Sequence, residues 1–86
     1  MKTDILTVVD TGYDATTGFY VNGTKKAEVH CNDEHEIPGI LYVLMTRFNF
    51  VRVDTKCLSD DGFDKYDQLG CVHPESINEY GPDDFE

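Results

Sequence analysis

Carboxylates dominate the residues that could do chemistry. Asp60, Asp61, Asp64 and Asp67 crowd into eight positions, and Glu75 and Glu79 follow. On a helix, Asp60, Asp64 and Asp67 stand four and three residues apart on one side, roughly 5–6 Å between β-carbons. Three chemistries suit such a group. A calcium loop of the EF-hand type needs oxygen ligands at positions 1, 3 and 5, Gly at 6 and Glu at 12. Here Gly62 comes too early, and the twelfth residue from Asp60 is Cys71, so the pattern fails. Acid–base hydrolysis needs two carboxylates in differently tuned surroundings within a cleft, and nothing in the spacing sets a pair in an apolar pocket. Recognition by charge remains, in which fixed carboxylates are read by a cationic surface.

Nitrogen and sulfur donors form a second group. His30, Cys31, His35, Cys57, Cys71 and His73 could supply one tetrahedral zinc, but no C-x-x-C pair is present. No metal or other cofactor is therefore expected, and His30, Cys31, Cys57, Cys71 and His73 stand as the alternative metal set. Thiol catalysis lacks a Gly-rich nucleophile turn, and the surrounding acids would raise a thiol pKa. There is no phosphate-binding glycine loop. The expectation is a protein that is not an enzyme. Three cysteines leave at least one unpaired, whereas small secreted scaffolds more often carry an even set. This points to the cytoplasm, with the thiols buried as small hydrophobes.

The wider charge balance agrees with a recognition role. Among 86 residues, 17 acids face 7 Lys and Arg, a net charge of −10. Such a field repels phosphate, which argues against direct binding of nucleic acid or of an anionic membrane. Apolar runs are too short for a membrane-spanning helix, and Asp4 interrupts the N-terminal stretch that a secretory signal would need. The length suits one domain. Residues 1–58 hold eight acids and six bases, whereas residues 59–86 hold nine acids and one base, Lys65. The first part reads as an α+β core, and the second as an acidic C-terminal segment of the same domain.

The elements that must position these groups follow from periodicity. Residues 4–10 are β-branched and aliphatic, a strand, and residues 12–17 form a polar connection. Asn22-Gly23 between residues 18–21 and 24–31 marks a hairpin, since both residues of a type I′ turn need positive φ. In the third strand Ala27, Val29 and Cys31 should pack while Lys26, Glu28 and His30 stay wet. Ile37, Ile40, Leu41, Leu44, Met45 and Phe48 form one helical apolar stripe. Pro38 sits in its first turn, Asp33, Glu34 and Glu36 gather at its positive end, and Asn49 closes it. Residues 50–58 alternate as a half-buried strand, with Val51, Val53, Thr55 and Cys57 on one side. The resulting order is βββαβ: an antiparallel sheet with the helix packed on one face, two layers, the last strand pairing along the first. In the acidic segment, Asp60 or Asp61 caps a short helix through 63–69 that Phe63 and Tyr66 anchor and Gly70 ends. Residues 76–80 form one turn, and residues 83–86 fray.

The partner-binding candidates are therefore Asp60, Asp61, Asp64, Asp67, Glu75 and Glu79, with Tyr13, Tyr66 and Tyr80 as anchor contacts. An alternative role is a protein-interaction or assembly subunit with no nucleic-acid connection. It would dock a partner through a sheet edge or the wet face of Lys26, Glu28 and His30, or form a homodimer through an exposed edge. In size, charge and layout the whole chain resembles the small acidic proteins with which bacteriophages and other mobile elements block host defences. Anti-CRISPR and anti-restriction proteins are among them, and several mimic nucleic acid. The resemblance implies a non-enzymatic inhibitor inside a bacterial cell, acting on a CRISPR effector, restriction enzyme or other nuclease. It rests on no shared motif and assigns no residue a role.

Overall fold

The computed structural model describes residues 3–11 and 16–86. Tyr13 and most of the polar connection expected at 12–17 lie outside them; Thr16 and Thr17 belong to a strand. Four strands form one sheet: β1 (Asp4–Asp10), β2 (Thr16–Val21), β3 (Thr24–His30) and β4 (Phe50–Cys57), in the spatial order β3-β2-β1-β4. Helix α1 (Ile37–Arg47) joins β3 to β4, and α2 (Asp60–Gln68) follows β4. At the β2–β3 turn Asn22 and Gly23 both take positive φ, 53° and 85°, as the dipeptide foretells.

The expected pairing of β4 along β1 is present, but it is parallel, so the sheet is mixed rather than antiparallel. Connectivity explains the difference. β3 ends at the far end of the sheet, α1 carries the chain back, and β4 must start beside the start of β1, with Phe50 opposite Asp4. One face of the sheet buries Leu6, Phe19, Val21 and Val29 against Leu44 of α1, with Ile37, Ile40, Leu41 and Phe48 packed around them. Met45 departs from the expected stripe and is 63% exposed. β4 departs too: Val51 and Val53 are 61% and 54% exposed, because α1 packs over the other strands and leaves this edge uncovered. The acids before α1 form their own 3-10 turn, Cys31–Glu36, and Phe48 rather than Asn49 caps the helix C-terminus. The Asn49 N–H is taken by Asp4 Oδ2 at 3.0 Å.

The opposite face is also covered, so the fold has three layers where two are expected. Val9, Tyr20 and Leu58 pack there against Tyr66 and Tyr80, with Phe63, Ile77 and Phe85 alongside. The tail does not fray. Asp84 is buried, Phe85 bridges to Leu58, and the Glu86 N–H donates to the Cys57 carbonyl at 2.9 Å. Phe85 supplies the apolar area that holds it, ring to ring with Tyr80 at 5.5 Å. The thiols are less buried than expected: Cys31 and Cys57 are half-buried and Cys71 is exposed. Among the described residues no helix is long and apolar enough to cross a membrane.

Candidate functional site

The acidic face is built on α2. Ser59, not Asp60 or Asp61, caps the helix: its Oγ accepts from Gly62 N–H at 3.2 Å and donates to the Asp83 carbonyl at 2.6 Å. Asp60 and Asp61 thereby fall in the first turn, at the positive end of the helix dipole. Tyr66 and Gly62 face inward, while Asp60, Asp61, Asp64 and Asp67 are exposed. No ion pair among the described residues engages these four carboxylates. Asp67 accepts from the Cys71 thiol at 3.4 Å.

The rest of the acidic segment braces this helix. Gly62 lies so close to the tail that a β-carbon there would overlap the Asp84 carbonyl oxygen. Lys65 Nζ reaches Asp84 Oδ2 at 2.7 Å and the Glu79 carbonyl at 3.3 Å, tying the 3-10 turns Ile77–Glu79 and Pro82–Asp84 to α2. The Lys65 hydrogen bond, with one from the Gly81 N–H at 2.7 Å, holds the Asp84 carboxyl below its usual range. Glu79 is exposed and caps its own turn by accepting from the Ser76 N–H. The Glu75 carboxylate is open to solvent and lies 3.6 Å from Lys25 Nζ. Lys65 thus ties the Glu79 backbone, not its carboxylate, to α2, and Glu79 lines one shallow hollow with Glu75 and Lys25.

Tyr66 and Tyr80 are not partner contacts. Both are buried, and their hydroxyls close a polar network beneath the acidic segment. Tyr66 Oη accepts from the Thr16 N–H at 3.2 Å. His73 Nε2 lies 2.7 Å from the Thr16 carbonyl, which can only accept, so Nε2 carries the proton. Nδ1 then accepts from the Tyr80 hydroxyl at 2.8 Å. Tyr20 donates to the Pro74 carbonyl at 2.6 Å. Burial pushes the His73 pKa down and those of Tyr20 and Tyr80 up, so this network is uncharged near neutral pH. Each aromatic ring needs a partner for its polar tip when enclosed, and this arrangement supplies one to each.

The zinc alternative loses its geometry. Both His73 nitrogens are engaged, Cys71 sits against Asp67, Cys57 lies at the end of β4, and the Cys31 thiol lies against its neighbours His30 and Asn32. Among the described residues no three His, Cys, Asp or Glu side chains converge as metal ligands. Burial, then Glu86 and Asp10, raise the Cys57 pKa, and the hydrogen bond to Asp67 raises that of Cys71. Both shifts disfavour the thiolate. The docking strip expected on β3 is broken as well. Glu28 accepts from Lys25 Nζ and from the His73 N–H, and the β3 edge is occupied where the Lys25 N–H donates to the Glu75 carbonyl at 2.8 Å.

Lys25, Gly62, Lys65 and Asp84 have roles that spacing alone does not assign. Two carry a signal nonetheless: Gly62 interrupts a helical pattern, which asks for a packing reason, and Lys65 is the sole base among nine acids. Comparison with known proteins adds no assignment: no family model matches the chain, and no curated protein or solved structure matches it significantly.

Proposed function

We propose that this is a non-enzymatic, cytoplasmic binding protein that inhibits a basic nucleic-acid-handling protein, a CRISPR effector, restriction enzyme or other nuclease, through the acidic face of α2. One observation carries the reading. Asp60, Asp61, Asp64 and Asp67 are exposed and unengaged by any described base, on a short helix fixed from below by Ser59, Gly62 and Tyr66. A preorganised row of carboxylates avoids the ordering cost of binding and imitates the spaced charges of a phosphate backbone. Glu75 and Glu79, both exposed, add a second acidic patch on the same segment. The partner presents a cationic channel; nucleic acid itself is repelled.

The test uses a candidate nuclease and its DNA or RNA substrate. The protein should compete with the nucleic acid, and its affinity should fall steeply as salt rises. Changing Asp60, Asp61, Asp64 and Asp67 together to Asn should abolish inhibition while leaving the circular dichroism spectrum and thermal midpoint intact. Undiminished inhibition by a folded quadruple variant sinks the proposal.

A further inference from the structure

We infer that the chain self-associates through the open edge of β4, which pairs antiparallel with β4 of a second copy about a two-fold axis at Val53. The two four-stranded sheets then become one of eight strands. The backbone sets the possible pairings. The Leu58 N–H donates to the Asp10 carbonyl on β1 at 2.8 Å, whereas the Cys57 carbonyl accepts from Glu86 on the other side at 2.9 Å. Backbone groups alternate sides along a strand, so those of Val53 and Thr55 point outward, away from β1. Among the described residues only the tail covers this edge, and it reaches no further than Cys57.

Charge and the tail then select the register. With the axis at Val53, the two copies of Val53 form a mutually hydrogen-bonded pair. On either side Arg52 stands directly opposite Asp54 of the second copy, in the non-hydrogen-bonded positions where side chains approach closest. The pair exists already within one chain, Arg52 Nε to Asp54 Oδ2 at 3.0 Å, and dimerisation extends it to a four-charge cluster. Moving the axis to Arg52 sets Arg on Arg; moving it to Asp54 sets Asp on Asp and Arg52 on Lys56. Both registers oppose like charges; an axis at Thr55 opposes Asp54 and Lys56 but sets Val53 against Cys57, whose carbonyl the tail already holds.

The flanking surface suits a second copy of an acidic chain. Residues 37–58 hold three bases and one acid within a molecule of net charge −10, so two copies can meet here without carboxylate repulsion. Five of the seven large hydrophobic side chains exposed among the described residues lie on α1 and β4: Tyr42, Val43, Met45, Val51 and Val53. Val53 pairs with Leu6, so it lies on the face that α1 covers. The Val53 axis sets the two α1 helices on the same side of the joined sheet.

Sedimentation equilibrium on the purified chain tests the inference. The wild type should be a dimer with a micromolar or tighter dissociation constant. Val53→Lys, which sets a cation on the axis and faces solvent in the monomer, should give a folded monomer. Arg52→Asp alone should weaken association about tenfold or more, because it replaces both cross-chain ion pairs with like charges, and Arg52→Asp with Asp54→Arg should restore it. Arg52 and Val53 are more than half exposed, so neither change threatens the fold. A wild type that stays monomeric into the millimolar range overturns the inference. So does a dimer indifferent to Val53→Lys, or one that the charge swap fails to restore.

Discussion

The two faces of the sheet are held by different physics. Under α1, aliphatic and aromatic side chains interdigitate, Leu6, Phe19, Val21 and Val29 against Leu44, and the energy comes from apolar area removed from water. Under the acidic segment Val9 and Leu58 share the core with Tyr20, Tyr66, Tyr80 and His73, which each bury a ring and satisfy a polar tip. The first arrangement is non-directional and tolerates some repacking. The second fixes the segment in one place, because displacing α2 or a 3-10 turn leaves buried hydroxyls and a ring nitrogen without partners. The exposed carboxylates of α2 rest on the second kind of support.

Substitutions can break this contrast. The largest effect belongs to the apolar face: Phe19→Ala should lower stability by about 3–5 kcal/mol in urea titration, through lost transfer energy and the cavity left behind. Gly62→Ala should cost about 1–3 kcal/mol, because the new methyl group must drive Asp84 and the tail away from α2. Its signature is local, with faster hydrogen exchange at the Ser59 and Glu86 amides, which donate to Asp84 and Cys57. Exchange unchanged at both amides would contradict the bracing role.

The subtlest test sharpens the comparison by pH. Burial lowers the His73 pKa in the fold, so the unfolded chain binds a proton more readily than the native one. Stability from this group is complete above the ordinary histidine pKa of about 6.5 and is lost as pH falls below it toward the folded value. The slope cannot exceed about 1.4 kcal/mol per pH unit for one proton. In His73→Gln that contribution should disappear from the stability–pH curve. An unaltered curve would mean that His73 does not govern the acidic segment.

What the sequence reveals divides along the same line. The apolar face is legible because its signals are periodic and local: Ile37, Ile40, Leu41 and Leu44 at helical spacing, and Asn22-Gly23 with its required positive φ. The direction of β4 is not legible, since residues 50–57 alternate alike in parallel and antiparallel pairing; the chain's path through α1 decides. Exposure of Val51, Val53 and Met45 escapes periodicity for a related reason, as a stripe shows which side is apolar but not whether a neighbour reaches it. On the other face, Tyr66 supports two readings, an anchor to the core or a contact for a partner, and the Thr16 N–H selects the first. That bond spans fifty positions, and the His73 bond to the same residue spans fifty-seven. No local pattern encodes such pairings. The acids of α2 are legible as exposed because nothing of opposite sign lies within helical reach except Lys65, which turns to Asp84.

The inner position of β1 has a consequence for a chain that emerges from its N-terminus. β1, β2 and β3 can form their antiparallel meander as soon as residue 30 has emerged, but the second neighbour of β1 begins at Phe50. Until then β1 is itself a bare edge, with Leu6 and Val9 in it. Closing it demands a parallel strand drawn from more than forty residues downstream, a slow step for a small domain. Any chain that paired β1 to β3 before β4 arrived would expose the second edge of β1, and β4 is the element that closes it.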